Sequence, residues 1–131
     1  LLREIRKDDT TEFTEKTLDY YRRKVNLGQI EDASVVYAYT GPCGDTVKLY
    51  LKINGNKIED AKFEYNGCIA SAASAAVLTE LIKGKNLEEA QQITEEDILK
   101  ELGGLPESHQ HCPSLAVVTL RKAIEEYKKN E

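Results

Sequence analysis

The sequence predicts an α+β fold: a small three-stranded antiparallel sheet with helices packed mainly on one face. Two stretches carry that reading. Thr46 to Ile53 alternates, with Val47, Leu49, Leu51 and Ile53 on one side and Lys48, Tyr50 and Lys52 on the other. After the hairpin turn Asn54-Gly55-Asn56, about Lys57 to Tyr65 sets Ala61, Phe63 and Tyr65 against Lys62 and Glu64. One buried and one wet face is the pattern of an antiparallel meander, and on both sides of it the apolar period turns helical.

Taken in order, residues 1–12 mix Leu and Ile with charges and are expected to form a mobile terminal segment. From Phe13 to about Lys24, Leu18, Tyr21 and Val25 recur at helical spacing, and Asn26-Leu27-Gly28 ends the helix. Ala33 to Thr40, rich in Val and Tyr, is the first strand. Ile69 to Lys83 is a helix whose first half is nearly all Ala and Ser, so neighbouring backbones can come close; Gly84 stops it. Asn86 with Glu89, and Thr94 with Asp97, have the spacing of capping boxes and start two short helices. Gly103-Gly104 and Pro106 break the chain before a last helix from Pro113 to about Lys129, with Ala116, Leu120, Ile124 and Tyr127 facing inward.

The 131 residues fit one domain, with no repeat or interior linker to divide them. A net charge of -5 with scattered basic residues argues against nucleic acid, and no apolar run is long enough for a bilayer, so a soluble protein is expected. The cysteine count, 3, is odd, and the residues stand far apart in a chain that needs no cross-links. That favours free thiols in a reducing compartment: the cytoplasm, or the mitochondrial matrix should a targeting segment have been removed.

Those cysteines hold the chemistry. Cys43 lies in Thr40-Gly41-Pro42-Cys43-Gly44-Asp45, where glycines and a proline dictate a tight turn. Cys68 follows Gly67 at the N-cap of the Ala/Ser helix, and Cys112 precedes Pro113, a residue suited to the first helical position. Helix N-termini favour thiolate at both, and thiolate is the metal-binding and nucleophilic form. A 2Fe–2S cluster and a tetrahedral zinc each need four protein ligands. The three thiols leave the fourth place to Asp45, two residues from Cys43, or to His111, beside Cys112. Unequal ligands suit a site that must release its metal. His109 reads as a solvated loop residue, and Lys83, Lys85 and Lys122 as a solvated face. A thiol hydrolase or transferase built on His111-Cys112 is a weak rival, because adjacent residues seldom orient as base and nucleophile and no oxyanion partner is evident.

At these residues the chain resembles the U-type iron–sulfur cluster assembly scaffolds, the IscU and NifU N-terminal-domain family. The motifs are Pro42-Cys43-Gly44-Asp45, Ile58-Glu59-Asp60-Ala61-Lys62-Phe63, Gly67-Cys68 with its Ser/Ala helix, Leu81-Ile82-Lys83-Gly84-Lys85, and Leu105-Pro106 before His111-Cys112. The similarity runs from about Phe13 to Tyr127. The resemblance implies a protein without turnover of its own, which takes sulfur from a cysteine desulfurase, iron, and electrons from a donor. It then passes the cluster, most often 2Fe–2S, to apo iron–sulfur proteins. It further implies Cys43, Cys68 and Cys112 as cluster thiols, Cys112 as persulfide acceptor, Asp45 as the residue of cluster lability and His111 as the histidine beside the last cysteine. Zinc is the cofactor expected if the cluster-free form holds a metal, and zinc-bound sulfur transfer through the same thiols is the alternative function. Phe13 stands where many members carry tyrosine, and Leu105-Pro106-Glu107-Ser108-His109 replaces the Leu-Pro-Pro-Val-Lys that a dedicated Hsp70-type chaperone reads. The long insertion of the zinc-bound SufU-like branch is absent. A cluster with an exposed iron fits either a monomer or a homodimer that shields it.

Overall fold

The computed structural model describes residues 13–42 and 44–130, so the expected mobile segment 1–12 and the Cys43 side chain lie outside the described residues. Helix α1 spans Glu15–Arg22. It is shorter than the periodicity suggests because Thr14 takes the N-cap, accepting from Thr17 N–H at 3.1 Å, while its hydroxyl donates to the Leu102 carbonyl. At the other end Lys24 and Asn26 adopt positive φ (52° and 58°), which turns the chain out of the helix and leaves Val25 in the turn.

The sheet is the meander β1 (Val35–Thr40), β2 (Thr46–Asn54), β3 (Lys57–Asn66), antiparallel in that order. Gly55 makes the β2–β3 hairpin at φ +66°. Leu49 stands opposite Tyr37 on one side and Phe63 on the other, and Val47 opposite Tyr39 and Tyr65, so the inward faces of all three strands coincide. A bulge follows Lys52, which pairs with Asp60 while Ile53 pairs with Ile58, leaving Glu59 as the extra residue. Tyr50 points to the face expected to be wet yet is only 6% exposed, its hydroxyl donating to Glu64 at 2.6 Å.

The outer edge of β3 is covered by its own chain. Phe63 N–H donates to the Asn26 carbonyl (3.0 Å), Gly28 N–H to the Phe63 carbonyl (2.8 Å), and Ile58 N–H to the Lys85 carbonyl (2.9 Å). Such pairing removes a template for strand addition.

Helix α2 (Ile69–Ile82) is buried from Ala70 through Thr79, which its all-round apolar character requires. It packs on β3 between α1 and α5 (Cys112–Lys129), and α5 covers β1 and β2. Both capping boxes form, at Asn86/Glu89 for α3 (Leu87–Ala90) and Thr94/Asp97 for α4 (Glu95–Leu102), and Gly103 closes α4 at φ +76°. The core runs between the sheet and α2 and α5, with Leu49, Leu51, Ile58, Phe63, Leu78 and Ile124 among its fully enclosed members. No helix among the described residues is long and apolar enough to cross a membrane.

Candidate metal centre

Three segments distant in sequence converge at one end of this layered fold: the β3–α2 joint, a 3-10 turn (Glu107–His109) and the start of α5. Cys68 is the N-cap of α2 with an extended backbone (φ −90°, ψ 173°) that frees its side chain from the helix. Cys112 is the first residue of α5 with His111 as N-cap, one position further into the helix than the sequence suggests. The two sulfurs are 3.9 Å apart. Cys68 is half-buried, whereas Cys112 is 1% exposed.

That separation corrects the expectation of a thiolate at each helix start. The Cys112 S–H bonded to Cys68 is the largest influence bringing Cys68 down to about 5, against the cost of burial, with Ser71 assisting. The same bond, together with burial, pushes Cys112 upward. The pair shares one proton, carried by Cys112, and titrates as a unit. A metal ion would displace it.

Ser71, one turn into α2 and fully buried, ties the pair to Asp45. Its hydroxyl donates to Asp45 Oδ2 at 2.6 Å, and its oxygen lies 3.6 Å from Cys68 Sγ and 3.7 Å from Cys112 Sγ. The Cys68 N–H also points at Asp45 Oδ2, at 3.5 Å. Asp45 closes the β1–β2 turn, where Gly41 N–H donates to its carbonyl at 2.9 Å and Gly44 takes φ +92°. It comes so near the β3–α2 joint that a Cβ on Gly67 would stand 2.6 Å from its Cγ, which explains a residue without a side chain there.

His109, read from sequence as a solvated loop residue, is half-buried in this group. Its Nδ1 is 3.6 Å from Cys68 Sγ, and its ring packs on Phe13 at a centroid distance of 5.2 Å, tilted by 53°. Cys68, His109 and Cys112 each offer a ligand atom, all within 4.8 Å of one another. Among the described residues the exposed His111 approaches, of these ligand atoms, Cys112 alone, Nε2 to Sγ 3.8 Å. The spacing His109-Gln110-His111-Cys112 was the signal available in the sequence. Its choice between the two imidazoles depends on Phe13, nearly a hundred residues away. Beside His111 a cavity of about 430 Å³ opens between Tyr39, Gly41, Pro42, Leu115 and Val118.

A family profile described as the NifU-like N-terminal domain matches residues 12–131. The chain belongs to the NifU-like N-terminal domain family. Within it, the chain is 42% identical over 116 residues to the iron–sulfur cluster assembly scaffold protein IscU 1 of Archaeoglobus fulgidus, spanning 88% of this chain and 76% of that one. It is 40% identical over 121 residues to the scaffold protein IscU of Escherichia coli K12, spanning 88% and 94%. Among solved structures it superposes with a TM-score of 0.73 and 30% identity on an iron–sulfur cluster assembly scaffold protein for the SUF system from Fervidobacterium islandicum AW-1, over 87% of this chain and 97% of that one. The NifU-like N-terminal fragment from Brucella abortus, 20% identical at a TM-score of 0.71, shares the fold.

Proposed function

We propose that this protein is a scaffold on which an iron–sulfur cluster is assembled and from which it is handed on, with iron and sulfur as cargo. The observation that carries the reading is the pair of thiols 3.9 Å apart, next to imidazole and within one serine of a carboxylate, in a chain about 40% identical to named scaffold proteins. Cys68 and Cys112 with Cys43 are the cluster thiols, and His111 or Asp45 completes a 2Fe–2S set. Such a role is one of holding and handing on, without turnover.

Sulfur arrives as the terminal atom of a desulfurase persulfide. A site thiolate attacks it, the donor's S–S bond breaks, and the donor cysteine leaves as thiolate, with no net oxidation. In the metal-free protein the thiolate is Cys68; Cys112 becomes the acceptor once a bound metal has displaced its proton. Each transferred sulfur is then reduced to sulfide by an electron donor. The cavity beside His111 leaves this side open to a donor or to an apo-protein acceptor. A second copy could shield the cluster, and an Hsp70-type chaperone would meet Leu105-Pro106-Glu107-Ser108-His109 in its altered form.

Zinc-bound sulfur transfer is the second reading. Two thiolates and an imidazole on one tetrahedral ion stand about 3.8 and 3.5 Å apart, close to the 3.9 and 3.6 Å found. Anaerobic reconstitution with iron and sulfide separates the two. The scaffold gives thiolate-to-iron charge-transfer bands that Cys68→Ser and Cys112→Ser each abolish while circular dichroism stays near wild type. A colourless protein with stoichiometric zinc would replace the scaffold with the sulfur acceptor.

A further inference from the structure

We propose that His109 is a metal ligand of this chain, completing with Cys68 and Cys112 a site for a single divalent cation of borderline softness, such as ferrous iron, zinc or cobalt(II). Its purpose, holding the first iron before sulfide arrives, rests on the scaffold reading; the site itself does not.

The geometry points to one ion because all three ligand atoms fall within 4.8 Å of one another, and the two measured separations from Cys68 Sγ, 3.9 Å to Cys112 Sγ and 3.6 Å to His109 Nδ1, are edges of one tetrahedron. Among the described residues His111 is outside that group: it is exposed, and the one candidate ligand atom it approaches is Cys112 Sγ. His109 is also pre-oriented. Phe13, 7% exposed, packs against its ring, and the 3-10 turn fixes its backbone through the His109 N–H bond to the Pro106 carbonyl at 2.8 Å. An imidazole held by an aromatic neighbour loses little freedom on binding. Asp45 stands close by, held by Ser71, whose oxygen lies 3.6 Å from Cys68 Sγ.

Such a site cannot also be the cluster site unchanged. An iron bridged by two sulfides keeps only two places for protein ligands, so growth to a 2Fe–2S cluster requires His109 to yield its place while Cys43 and either His111 or Asp45 serve the second iron. The two histidines thereby divide the work, His109 for the single ion and His111 near Cys112 for the later stage.

Cobalt(II) titration of the metal-free protein tests this, read by the thiolate-to-cobalt and d–d bands. His109→Ala should weaken cobalt binding roughly tenfold or more and alter the d–d envelope, whereas His111→Ala should change affinity less than about threefold. Long-range imidazole NMR of the zinc-loaded wild type gives the ligand without relying on a variant's folding: His109 Nδ1 should shift as a metal-bound nitrogen while His111 stays free. Zinc on His111 with His109 free, or unchanged cobalt binding in His109→Ala, overturns the proposal. Iron–sulfide reconstitution of the wild type is scored separately. Failure there with His109-dependent cobalt binding removes the scaffold reading and leaves the site; a stable cluster with His109-independent cobalt binding does the reverse.

Discussion

Cys68 and Cys112 are chemically unequal although their surroundings in the sequence look alike. With the shared proton on Cys112, Cys68 should react first with iodoacetamide in the metal-free protein. Its labelling rate should hold its plateau through neutrality and fall only as the pH drops through about 5, because a depressed thiol stays ionised above its own midpoint. Cys112, buried and pushed upward, should be alkylated slowly until Cys68 has been modified or mutated. Peptide mass spectrometry across a pH series checks both, and equal labelling of the two at neutral pH would contradict the shared proton. Asp45 is the other residue whose role the contacts sharpen. Held by Ser71 at 2.6 Å, it can leave that hydroxyl for a metal, and a carboxylate is a harder, more easily exchanged ligand for iron than thiolate. Asp45→Ala is therefore expected to lengthen cluster lifetime and slow transfer to an acceptor, followed by visible absorption; unchanged or faster transfer would leave Asp45 as a turn residue.

Among the elements, the β3–α2 joint sets the site. Gly67 has no positive φ to explain it, so the need for glycine there is steric: Asp45 occupies the space a side chain would take. Gly67→Ala should lower stability by ~1–3 kcal/mol, the usual cost of overpacking, and push Asp45 off Ser71. Its cluster should then behave as in Asp45→Ala, with long lifetime and slow transfer, which a thermal melt and a transfer assay on one sample will show. Normal transfer in a stable Gly67→Ala protein would separate the joint from release. The ends of elements were legible wherever one residue type decides them. Asn86/Glu89 and Thr94/Asp97 cap as their spacing says, and Gly55 and Gly103 turn as glycine permits. Helix α1 is shorter than the period of Leu18, Tyr21 and Val25 suggests: the Thr14 cap on Thr17 is local, but the Thr14 bond to Leu102 that holds this start is a tertiary fact.

For the molecule as a whole, periodicity was enough for the three-stranded meander with its helices gathered on one face, because one face of each strand alternates and α2 is apolar all round. Asp45, Cys68 and Cys112 could be grouped beforehand from their places at turns and helix starts. His109 could not be preferred over His111, since the local spacing to Cys112 offers both imidazoles; the choice depends on Phe13 and on how the start of the described chain packs against the His109 turn. The inequality of the thiols likewise arises only when two helix starts are brought within 3.9 Å. On the proposed reading the fold acts as a frame that brings soft ligands from separate segments together, with an open side beside His111 for exchange. The most direct measurement of that claim is anaerobic transfer of the reconstituted cluster to an apo-ferredoxin, followed by the acceptor's circular dichroism in the presence of an iron chelator. Transfer faster than from free iron and sulfide, and resistant to the chelator, is the result expected of a scaffold; transfer no faster than from the free ions, or abolished by the chelator, would contradict it.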